Sequence, residues 1–76
     1  MSILSDKIKV IAVNYLGPAA EKFLQRQTSA HMGGIAYSDI TSANLSELVK
    51  WIRISSSLLI GADKGKEFAD KVSSLQ

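Results

Sequence analysis

Apolar residues return every three to four positions along most of this chain, a spacing that predicts helices rather than strands. In the first stretch Leu4, Ile8, Ile11 and Tyr15 fall at i, i+4, i+7 and i+11, with Ala12 beside them. That is one helical stripe, and it predicts a helix over 4–16. The run from Ile8 to Val13 is β-branched enough to suit a strand as well. Strict alternation fails at Val10-Ile11-Ala12-Val13, however, while the stripe persists for three turns, so helix is preferred. Gly17 ends it as a C′ glycine would. Pro18 suits the first position of a second helix, where its missing N–H would be unpaired anyway. That helix is expected to run to about His31, with Ala19, Ala20, Phe23, Leu24, Gln27, Ala30 and His31 on one side. Glu21, Lys22, Gln25, Arg26 and Ser29 take the other. The tight Leu16-Gly17-Pro18 corner predicts an αα-hairpin.

Gly33-Gly34 opens a loop expected from about Met32 to Ile40. Thr41 is the expected N-cap of the third helix, with Ser42 as an alternative, and Ile40 and Leu45 stand in the two places of a hydrophobic staple. This helix is expected to reach Ile60 and to stop at Gly61. Asp63 is the expected cap of a short fourth helix to about Leu75, with Phe68, Ala69, Val72 and Leu75 inward. Gly65 costs that helix about 1 kcal/mol relative to alanine, so fraying is expected. The reading is therefore an all-α fold: a small helical bundle of three main helices plus a short C-terminal helix, as a single domain over 1–76. Its expected core is Leu4, Ile8, Ile11, Tyr15, Phe23, Leu24, Leu45, Leu48, Val49, Ile52, Leu59, Phe68 and Val72.

The third helix carries more apolar surface than a core face needs. At about 100° per residue, Leu45, Leu48, Val49, Ile52, Ser56, Leu59 and Ile60 fill one broad arc. Ser46, Lys50, Arg53 and Ser57 form a polar stripe. Trp51, Ile54 and Leu58 occupy a further arc interrupted only by Glu47. Two readings follow. The helix is central and its neighbours cover both faces, or Trp51, Ile54 and Leu58 dock on a partner or a second copy, with Lys50 and Arg53 as a polar rim. Tryptophan is enriched at interface hot spots. Ile3, Val10 and Val13 similarly fall away from the stripe of the first helix, so the candidate partner-binding residues include Val10 and Val13.

Composition sharpens this picture. A chain of 76 residues is one domain of marginal stability, and domains this small often need a disulfide, a metal or an oligomer. Cysteine is absent and His31 is the single histidine, which excludes disulfides and leaves a structural zinc site without ligands. Tight helix packing or self-association remains, and a homo-oligomer is expected. A hydrophobic fraction of 46% is generous for so short a chain, and surplus apolar surface is commonly covered by a partner. The N-terminal residues lack a basic, apolar signal-peptide pattern. No run approaches the length of a membrane span. A cytoplasmic protein is expected.

Catalytic chemistry finds little to work with. His31 has no nucleophile at a paired spacing, and an imidazole at a helix C-terminus is explained by the last carbonyls. The acidic residues Asp6, Glu21, Asp39, Glu47, Asp63, Glu67 and Asp70 are spread singly, without the spacing of a calcium loop or a metal-binding pair. Gly17-Pro18 and Gly33-Gly34 do not match a phosphate-binding glycine pattern, and no serine lies in a nucleophile elbow. Neither an enzyme nor a cofactor is expected.

Nucleic-acid binding is the rival class. Nine Lys/Arg against seven Asp/Glu give a net charge of +2 and a pI of about 9.1, and Lys22, Arg26, Lys50 and Arg53 are spaced about one turn apart in pairs. Against this, acidic residues are interspersed, and the loop between the second and third helices is too long for a helix-turn-helix.

The segment Tyr15-Leu16-Gly17-Pro18-Ala19-Ala20, followed by Phe23-Leu24 and Arg26-Gln27, resembles a motif of small bacterial helical domains of uncharacterised function, some appended to signalling proteins such as kinases. Leu45-Ser46-Glu47-Leu48-Val49-Lys50-Trp51 is similar to a free-standing family of this kind. The resemblance spans Ile11 to Gln27 and Thr41 to Leu59. It implies a bacterial regulatory or adaptor role and brings no catalytic residues with it.

Overall fold

A computed structural model describes residues 3–75; Met1, Ser2 and Gln76, the ends of the expected 1–76 domain, lie outside the described residues. The described chain is all-helical: α1 (Ile3–Leu16), α2 (Ala20–His31), α3 (Ser42–Ile60) and α4 (Ala62–Ser73). Short 3-10 turns occupy Gly17–Ala19 and Tyr37–Asp39.

Pro18 does not open the second α-helix directly. It sits inside the 3-10 turn between α1 and α2, whose bond runs from the Ala20 N–H to the Gly17 carbonyl. Gly17 allows the corner because its φ of +58° lies in the left-handed region, where a side chain is strained. α1 packs against α2, as the αα-hairpin reading expects, and also against α4.

α3 begins after Thr41, whose backbone is extended. Asn44 Oδ1 accepts hydrogen bonds from the Thr41 backbone N–H at 3.2 Å and from its hydroxyl at 3.0 Å. The third helical residue thus reaches back to the cap, as in a capping box. Ile40 and Leu45, the two staple positions, are both fully buried. They fix the angle at which the loop enters the helix.

α4 has 12 residues, close to the span expected, and departs from expectation in two ways. Its cap is Gly61 and not Asp63, which lies within the first turn. Gly61 has φ +91° and ψ 158°, so the same glycine ends α3 and reverses the chain into α4. The second concerns Gly65, read from the sequence only as a weak point of the first turn. Gly65 is buried, and α4 presses there against the backbone of Ser57 on α3. The α3–α4 interface is the most extensive in the molecule.

One core serves all four helices. Ile8, Ala12, Ala20, Phe23, Leu24, Ile40, Leu45, Leu48, Ile52, Phe68, Ala69 and Val72 form it, with Leu4, Ile11, Tyr15, Val49 and Leu75 half-buried against it. Phe68 is its aromatic centre. Its ring stacks on Tyr15 at 5.2 Å between centroids and lies tilted on Phe23 at 6.1 Å, so it joins α1, α2 and α4. The Tyr15 hydroxyl donates to Glu67 on α4. That bond lowers the Glu67 carboxyl below its ordinary value and, as the largest cause, raises the Tyr15 phenol. A depressed carboxyl stabilises above its unfolded value and loses this as pH falls; a raised phenol stabilises below its unfolded value and loses this as pH rises. Its contribution is therefore fully present between the ordinary carboxylate value of 4.5 and the ordinary phenol value of 10.0, and declines only outside that window.

Leu59, expected in the core, is 66% exposed. It shares the inward arc of α3 but lies in its last turn. There α4 approaches α3 at Ser57, and Leu59 stays largely uncovered among the described residues. Ala19, Ala30 and His31, expected on the inner side of α2, are likewise exposed at its ends.

Ser56 is fully buried, and its hydroxyl has no hydrogen-bond partner among the described residues. An unmet buried hydroxyl costs about 1–3 kcal/mol. Ser56→Ala removes that cost and adds helix propensity, at the expense of a very small void. We expect it to raise stability by about 0.5–1 kcal/mol, read as a higher urea midpoint. A lower midpoint would show that the hydroxyl is satisfied in solution.

Candidate functional site

Six large apolar side chains remain exposed on the described surface. Ile54, Leu58 and Leu59 belong to α3, and Ile3, Val10 and Val13 to α1. α1 packs on α2 and α4, and α3 packs chiefly on α4.

The α3 group follows from helix periodicity. Trp51, Ile54 and Leu58 lie within one arc of about 60° at 100° per residue, roughly opposite the buried Leu45, Leu48, Ile52 and Ser56. Leu58 is 85% exposed and Ile54 is 48% exposed.

Trp51 behaves differently from its two neighbours. It is half-buried, and His31 at the end of α2 lies flat against it, with 4.1 Å between ring centroids and 9° between planes. The histidine therefore meets an aromatic face, where an interaction with the last carbonyls of its helix was expected. Lys50 Nζ lies 5.1 Å from the same indole centroid, within cation–π range. Trp51 Nε1 is sealed from solvent and has no hydrogen-bond partner among the described residues. A second tie between α2 and α3 lies one turn further on, where the Ser55 hydroxyl donates to Gln27 Oε1 at 2.8 Å.

Of the two sequence readings of α3, each applies to part of the arc. Its Trp51 end is partly covered from within by α2, and its Ile54–Leu58 end is open. Lys50 and Arg53, the expected rim, are exposed. Val10 and Val13 are exposed on α1, at 67% and 46%.

The basic pairs Lys22/Arg26 on α2 and Lys50/Arg53 on α3 are exposed, and none of these four forms an ion pair among the described residues. The ion pairs that do form are Lys9–Glu21, Lys64–Glu67 and Lys66–Asp70, all on the surface. Among the described residues, no group of three or more acidic or histidine side chains is placed to hold a metal ion. No helix among them is long and apolar enough to cross a membrane.

Sequence reasoning missed a cleft of about 490 Å³ between α1, α2 and the loop over 34–38. Tyr37 fixes that loop: its hydroxyl donates to the Ser5 backbone carbonyl at 2.6 Å. Burial, with a smaller contribution from the Asp6 charge, pushes the Tyr37 phenol well above its ordinary value. An aromatic residue amid small and polar ones was the available signal, but its target, 32 positions away, is not encoded by any local spacing.

Comparison of the chain with protein-family models, with curated protein sequences and with solved structures finds no match.

Proposed function

We propose that this chain is a non-enzymatic protein-interaction module that associates with a second copy of itself through the outer face of α3. The observation that carries this reading is the exposure of Leu58 and Ile54, one turn apart beside the partly covered Trp51. An apolar pair at i and i+4 on a helix surface, next to a tryptophan and rimmed by Lys50 and Arg53, has the composition of an interface centre and its polar edge. The α1 group of Ile3, Val10 and Val13 offers a further apolar surface. A regulatory or adaptor role in a bacterial cell is the setting that the sequence resemblance suggests.

Sedimentation velocity over a concentration series, at low and high salt, tests the reading. The expected result is a concentration-dependent dimer that persists in high salt. Leu58→Ser combined with Ile54→Ser should return it to monomer. Stability should change little, because exposed positions typically contribute within about 0.5 kcal/mol each. A wild-type chain that stays monomeric throughout overturns self-association.

A second reading, binding to nucleic acid, is favoured by the exposed cations Lys22, Arg26, Lys50 and Arg53, which form no ion pair among the described residues. It requires retention of duplex DNA or RNA that falls steeply with salt, and it fails if Lys22→Gln with Arg26→Gln leaves that retention unchanged.

A further inference from the structure

The cleft between α1, α2 and the 34–38 loop is unrelated to the α3 surface. Its walls are built, because the Tyr37–Ser5 hydrogen bond pins the loop to α1 and the Lys9–Glu21 ion pair, at 3.5 Å, ties α1 to α2 along one edge. Its volume of about 490 Å³ lies within the range of small-molecule sites.

The charges in it do not balance. Asp6, Glu21 and Lys9 all line the cleft. Lys9 is engaged with Glu21, while Asp6 forms no ion pair among the described residues. One carboxylate is left over. The other polar side chains around the cleft, including Gln25 and Ser29, offer further acceptor oxygens. Ile35 and Ala36 add a short apolar stretch. An acceptor-rich cleft with one uncommitted negative charge and an apolar strip matches an ammonium group on an aliphatic stem. The ammonium has three donors and no acceptor, and the stem needs cover from water.

We propose that this cleft binds a primary alkylammonium group, with Asp6 as its counter-ion and the Ile35–Ala36 strip against its methylenes. A free alkyl amine and the side chain of a peptide lysine share this chemistry. Titrations of the ¹⁵N-labelled chain, followed by amide chemical shifts, distinguish them. The probes are 1,5-diaminopentane, N-acetyl-lysine methylamide and the uncharged isostere pentan-1-ol. The expected result is saturable shifts confined to residues 5–9, 25–29 and 34–38 with at least one of the two amines and not with the alcohol. Binding of the diamine alone assigns a free amine; binding of the lysine amide assigns a peptide side chain.

Asp6→Asn should weaken binding about tenfold or more, since a charge-assisted contact is lost. Lys9→Met should tighten it about threefold, because it removes the competing cation and frees Glu21. That second variant breaks only an exposed ion pair, which contributes little to folding, so it stays informative if Asp6→Asn is poorly folded. The proposal is overturned if neither amine shifts these amides, if pentan-1-ol shifts them equally, or if Lys9→Met leaves the affinity unchanged.

Discussion

Phe68→Ala should destabilise the chain by about 3–5 kcal/mol, the usual cost of truncating a fully buried phenylalanine. Phe68 is 0% exposed and touches the rings of both Tyr15 and Phe23. Its removal leaves a cavity where three helices meet, and Tyr15 loses the surface that aligns its hydroxyl with Glu67. A domain of this length has about 4–11 kcal/mol in hand, so the variant should be partly or wholly unfolded at room temperature. Thermal melting followed by far-UV circular dichroism measures it. At about 4–8 °C per kcal/mol for a domain of this size, the midpoint should fall by well over 10 °C. A fall of only a few degrees would mean that the aromatic cluster is not the centre of the core.

The second large effect runs against helix propensity. Gly65→Ala in an exposed helix would stabilise by about 1 kcal/mol. Here a Cβ would lie 2.9 Å from both Cα and N of Ser57, closer than a methyl group can approach backbone. The Ser57 main chain cannot rotate away as a side chain could, so α3 and α4 must separate along their shared interface. Overpacking of this kind costs about 1–3 kcal/mol, which exceeds the propensity gain. The expected outcome is a lower urea midpoint for Gly65→Ala and a larger loss for Gly65→Val. An increase in stability for Gly65→Ala would show that the helices do not approach so closely in solution.

These two positions mark how far a linear reading goes. Phe68 was legible because it lies on a 3.6-residue stripe with Ala69, Val72 and Leu75, and a stripe needs only local spacing. The same holds for the extent of α3, for the staple of Ile40 and Leu45, and for the Thr41 cap, whose partners are at most five residues apart. Gly65 looked like a defect because its reason, the Ser57 backbone, belongs to another helix. Leu59 had the right periodicity for burial, yet burial also requires a neighbour at that height, and Leu59 stays largely uncovered among the described residues. The candidate surface divides in the same way. Periodicity placed Trp51, Ile54 and Leu58 on one arc, but which end of the arc is covered depended on where α2 stops.

The sequence by itself determined the helical class, most helix boundaries and the inward stripes, because each follows from 3.6-residue spacing, capping side chains and glycine punctuation within a few positions. Only the tertiary structure decided the stacking of His31 on Trp51, the close approach at Gly65, the exposure of Leu59 and the cleft closed by Tyr37. Each of those depends on the relative placement of helices, which is set by how whole faces pack and not by any short stretch of residues.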